Sequence, residues 1–67
     1  MSASISIQFN GKTVEVPKDS TVTELLRIAE IRSKLVAVEI NQEIVPHEKH
    51  PEHIVQAGDV VEAVTRS

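Results

Sequence analysis

The side chains best suited to chemistry lie in one short stretch. His47, His50 and His53 recur every third residue, with Glu48 and Glu52 between them. Imidazoles and carboxylates are competent ligands for zinc or copper. Pro51 interrupts any helix that would bring the three rings to one face, so the stretch reads as a solvated loop rather than a metal centre. A nucleophile is harder still to find. The chain has no Cys, which excludes thiolate catalysis, disulfides and cysteine-based metal sites. No pattern sets a serine beside a histidine and a carboxylate. Gly11 and Gly58 are the only glycines, too few and too far apart for a phosphate-cradling loop. No catalysis is expected from this chain alone.

Composition excludes further classes. The net charge is −3, and Phe9 is the only aromatic residue. A nucleic-acid binder needs a basic stripe, and a base-stacking platform needs several aromatic rings. Arg27, Arg32 and Lys34 make at most a small basic patch after the helix. No apolar run approaches the roughly 20 residues of a membrane helix. Met1-Ser2-Ala3-Ser4 lacks the basic and apolar segments of a signal peptide. Small secreted domains usually depend on disulfides, so a cytoplasmic location is expected. Residues 1–67 are read as one domain, folded over 3–65, with 66–67 as a tail.

The elements that must position any site follow from periodicity. Ile5, Ile7 and Phe9 alternate with Ser6 and Gln8, and Val14 and Val16 alternate with Thr13 and Glu15. Asn10-Gly11 between them predicts a type I′ hairpin, because both residues tolerate positive φ. Pro17 ends the second strand. Thr21-Val22-Thr23-Glu24 is a capping box, and Val22, Leu25, Leu26 and Ala29 form one apolar stripe, predicting a helix from 22 to about 30. Val36, Val38 and Ile40 mark a third strand. Asn41-Gln42 is the next turn, Glu43–Val45 a short fourth strand, and 47–53 a polar connection after which Ile54 is expected to plug the core. Val60–Thr65 is the last strand, with Val61 and Ala63 on one face and Val60, Glu62 and Val64 on the other. Seventeen of the twenty-one Val, Ile, Leu and Phe residues are β-branched, which favours sheet over helix. One helix covers one face of a sheet, giving an α+β, two-layer domain with the first and last strands as central neighbours.

This element order is that of the β-grasp (ubiquitin-like) fold, a mixed four- to five-stranded sheet with one helix packed on one face. The phrases "ISIQFNGKTVEVP", "STVTELL", "VAVEINQEIVP" and "HIVQAGDVVE", in this order and spacing, resemble the ThiS family from about Ile5 to Val64. The resemblance implies a sulfur carrier for the thiazole ring of thiamine. In that family a C-terminal Gly-Gly tail is adenylated by an ATP-dependent, E1-like activating enzyme, converted to a thiocarboxylate, and delivered to thiazole synthase; no cofactor is implied. The outer face of the last strand and the tail, Val60, Glu62, Val64, Thr65, Arg66 and Ser67, are then the expected partner contacts. The sequence departs from the family where it matters chemically, ending Thr65-Arg66-Ser67 without glycine. The expectation is a native chain that runs on to Gly-Gly, Arg-Ser being a dipeptide that joining sites often encode. The competing readings are a carrier-like protein without carrier chemistry, a non-covalent β-grasp module of the TGS type, and a carrier for molybdopterin synthesis.

Overall fold

In the computed structural model, residues 3–32 and 35–65 are described. Five strands and one α-helix follow in the order β1 (Ser4–Phe9), β2 (Lys12–Pro17), α1 (Val22–Ile28), β3 (Val36–Ile40), β4 (Glu43–Val45) and β5 (Val60–Thr65), with a 3₁₀ turn at His47–Lys49. The sheet order is β2-β1-β5-β3-β4, with β1 and β5 parallel at its centre and the other pairs antiparallel. The two strands furthest apart in sequence are therefore neighbours.

The hairpin forms as its sequence dictates. Asn10 and Gly11 take φ of 50° and 84°, and β1 pairs with β2 from Ser4↔Pro17 to Phe9↔Lys12. The β3–β4 turn uses the same left-handed backbone at Asn41 (φ 53°) and Gln42 (φ 70°), without a glycine.

Helix α1 starts on the capping box: the Glu24 amide donates to Thr21 Oγ1 at 3.1 Å, and the Thr21 amide donates to Glu24 Oε1 at 2.9 Å. Its end comes two residues before the sequence suggests. Glu30 adopts φ 62°, its amide donates to Arg27 O at 3.0 Å, and the Ile31 amide donates to Leu26 O at 2.8 Å. These two bonds define a Schellman motif. Its left-handed position is usually glycine, so the glutamate concealed the stop.

The buried face of the sheet and the inner face of α1 share one core, in which Ile7, Val16, Val22, Leu25, Val38, Val55 and Val61 are fully enclosed. The expected plug from the long connection is displaced by one residue. Val55 is 1% exposed, whereas Ile54 is 37% exposed. The segment runs extended against the start of α1: the Val22 amide donates to His53 O and the Val55 amide to Ser20 O, both at 2.9 Å, with Thr21 bridged to Ile54. In an extended segment neighbouring side chains point to opposite sides, so the register that buries Val55 turns Ile54 outward.

Candidate functional site

Strand β5 is the last element of the described residues, and its anchoring fixes the position of Thr65. Its parallel ladder with β1 is short, pairing Gln8 with Val60 and Phe9 with Val61. Beyond Phe9 the partner strand turns away into the hairpin. Asn10 takes over from the backbone. Its amide donates to Val61 O at 2.9 Å, its Oδ1 accepts from the Ala63 amide at 2.8 Å and its Nδ2 donates to Ala63 O at 3.2 Å. The side chain thus imitates one more strand residue. On the opposite side Asn41 does similar work: its amide donates to Val60 O at 2.8 Å, its Oδ1 accepts from the Val60 amide at 3.0 Å, and its Nδ2 donates to Asp59 Oδ1 at 3.1 Å. The two hairpin turns, β1–β2 and β3–β4, therefore also hold the central strand. The asparagines are legible in the sequence as turn residues, but their reach across 53 and 19 positions is not.

The outer face of β5 has the exposure expected of it. Val60 and Val64 are exposed, Glu62 is exposed between them, and Val61 and Ala63 are buried. Thr65 is exposed at the strand's end and pairs with Val36. Arg66 and Ser67 lie outside the described residues, as does Lys34. Across the ladder Glu62 stands opposite Glu39, which in turn stands opposite Ile44 of β4. Val60, Glu62, Glu39, Asn41 and Gln42 line a shallow groove of about 290 Å³. Val60 and Glu62 of β5 and Glu39 of β3 are thus brought together with the turn residues Asn41 and Gln42.

The histidines are separated in role. His50 is buried, with Nε2 3.2 Å from Val45 O. Burial pushes its pKa below the ordinary histidine value, opposed by the bond to Val45. Its ring lies 5.1 Å from that of His47, tilted by 46°. His47 and His53 are exposed. Among the described residues no three of the His, Asp and Glu side chains are grouped to hold a metal ion. His50 is instead a structural residue that occupies a backbone carbonyl of the edge strand β4. Arg27 and Arg32 share an open groove of about 570 Å³ with His47 and His50. A larger groove of about 620 Å³ lies between β4 and the connection after it, lined by Ile44, Lys49, His53 and Ile54 among others. Neither groove assembles a nucleophile with a base. Among the described residues no helix is long and apolar enough to cross a membrane.

A mixed five-stranded sheet with a parallel central pair and one helix across a single face is the ubiquitin-like β-grasp. Among the described residues its last central strand is clamped from both sides, by Asn10 and by Asn41. The ThiS family model matches residues 7–65. The chain belongs to the ThiS family. It is 40% identical over 57 residues to the sulfur carrier protein ThiS of Escherichia coli (strain K12), covering 85% of this chain and 86% of that protein. It is 39% identical over 59 residues to the sulfur carrier protein ThiS of Bacillus subtilis (strain 168), covering 87% and 89%. The crystal structure of the thiamine biosynthesis protein ThiS from Geobacter metallireducens superposes with a TM-score of 0.83 at 30% identity, covering 94% of this chain and 96% of the other.

Proposed function

We propose that this protein is a sulfur carrier for the thiazole moiety of thiamine, the sulfur riding as a thiocarboxylate on a C-terminal Gly-Gly. The observation that carries this reading is family membership over residues 7–65, which takes in the second half of β1 and every later element of the fold. The protein's part is mechanical. An ATP-dependent adenylating enzyme joins the terminal carboxylate to AMP with release of pyrophosphate. A sulfur nucleophile then displaces AMP at the same carbonyl carbon, and thiazole synthase takes the sulfur. Each step happens on the partner, in the cytoplasm, and the folded body serves as the handle. Glycine suits the end because it has no side chain to obstruct a narrow channel.

Val60, Glu62, Val64 and Thr65 are the contacts proposed for those partners, together with Arg66 and Ser67 of the tail. Their support is position: three of them share the solvent face of the strand that carries the chain toward its end. The deciding experiment is mass spectrometry of the native gene product after incubation with its adenylating enzyme, ATP and a sulfur donor. The expected result is a gain of one adenylyl group, followed by exchange of a terminal oxygen for sulfur. A product of unchanged mass, with the enzyme shown to be active, refutes carriage.

A further inference from the structure

The solvent face of the sheet contains an electrostatic conflict that the fold does not require. Glu39 of β3 stands directly opposite Glu62 of β5. Directly opposed residues on one face have Cβ atoms roughly 4.5–5.5 Å apart, and like charges there are destabilising. No ion pair relieves either carboxylate among the described residues. Any neutral or basic residue at one of the two positions would serve the sheet better.

Exposed aliphatic side chains flank this pair, with Asn41 and Gln42 at one end of the same groove. Ile44, opposite Glu39 on its other side, is 73% exposed. Val60 and Val64 precede and follow Glu62 on the same face, 47% and 61% exposed, and Ala37 stands opposite Val64. Two carboxylates, one on β3 and one on β5, therefore sit beside exposed Ile44, Val60 and Val64. A purely apolar occupant of this face would strip water from two charges without replacing it, which is strongly unfavourable. An occupant with a cation at its centre would relieve the repulsion and cover the aliphatic side chains at once.

We propose that this face docks a partner protein that places an arginine between Glu39 and Glu62, with aliphatic or aromatic side chains around it against Ile44, Val60 and Val64. Arginine fits better than lysine. Its planar guanidinium offers five donors in a fork that spans two carboxylates, and it is more weakly hydrated than an ammonium. The inference rests on the carrier reading, which supplies the adenylating enzyme as the occupant. A partner seated here lies along the strand that ends at Thr65.

The test pairs the Glu39→Gln/Glu62→Gln double variant with the unaltered protein, each carrying a C-terminal Gly-Gly. Two quantities are measured: melting temperature, and calorimetric affinity for the adenylating enzyme of the same organism. The proposal expects them to move in opposite directions. The double variant melts higher, because the repulsion is gone, yet binds at least about tenfold more weakly. A merely structural role would move both together. Glu62→Lys, which creates a cross-strand ion pair with Glu39, is expected to melt higher still and to lose binding. Parent affinity is expected to fall as salt rises from about 50 to about 300 mM, because exposed charges are screened over that range. Double-variant binding within about twofold of the parent overturns the arginine docking. If adenylation still proceeds in that case, the carrier reading stands alone. Absence of any binding or adenylation by the unaltered protein overturns both.

Discussion

Asn10→Gly isolates the side-chain clamp on β5 from the turn that presents it. Glycine adopts a φ of 50° without steric cost, so the hairpin backbone is preserved. Lost are the two bonds to Ala63, from its amide at 2.8 Å and to its carbonyl at 3.2 Å. Each is part-buried, and a typical intramolecular hydrogen bond contributes about 1 kcal/mol net, so the expected loss is about 2 kcal/mol. For a domain of this size 1 kcal/mol corresponds to about 4–8 °C, which predicts a fall in Tm of about 8–16 °C. A small domain has roughly 3–5 kcal/mol in total, so the variant should still fold while losing about half its margin. Calorimetry measures the global effect, and amide hydrogen exchange locates it. Ala63 should lose protection beyond the general increase, because its acceptor has gone. Val60, whose amide is held by Asn41 on the other side, should follow only the global change. Asn10→Asp keeps the Oδ1 acceptor and gives up the Nδ2 donor, and should fall between parent and Asn10→Gly. A Tm within about 2 °C of the parent, with Ala63 protection intact, would refute the clamp.

Other expectations concern the connection after β4 and the helix end. Val55→Ala removes two methyl groups from a fully enclosed site, at about 0.8 kcal/mol each plus a cavity contribution, so a loss of about 2–3 kcal/mol is expected in urea unfolding. Ile54→Ala, at a partly exposed site, should cost less than about half as much; equal costs would show that the segment packs in the other register. His50 has a pKa depressed by burial, so the unfolded chain takes up the proton first as the medium is acidified. Its contribution to stability is therefore complete above a pH of about 6.5 and is lost as pH falls below that value toward the folded pKa. His50→Gln retains an amide donor for Val45 O without titrating, and its Tm should fall less than the parent's between pH 7.5 and 5.5 in paired scans. Parallel pH profiles would remove His50 from the account. Glu30→Gly relieves a left-handed backbone and should raise stability by about 0.5–1 kcal/mol in chemical denaturation; a loss would mean that the glutamate side chain stabilises the helix end.

Much of this molecule was readable from short-range pattern. Strict alternation in β1, β2 and β3 fixed which side chains face inward, because a strand has period two and only one face can be covered. Asn10-Gly11 announced the hairpin and Thr21 with Glu24 announced the helix start, since both signals act over three or four residues through backbone geometry. The outward face of β5 followed from the same alternation. Element order then limited the sheet to a mixed arrangement with β1 and β5 together, and the ordered phrases along the chain pointed to the ThiS family.

Tertiary structure decided what depends on contacts between distant residues. Whether Ile54 or Val55 enters the core is a question of register against Thr21, and both are β-branched aliphatics that look equivalent in sequence. Asn10 and Asn41 read as turn residues, yet their amides complete a central strand that arrives 53 and 19 positions later. Glu39 and Glu62 each look like ordinary solvent-facing glutamates. Their opposition exists only because the sheet sets β3 beside β5, where hydrogen bonding places two charges on the same rung whatever their separation along the chain.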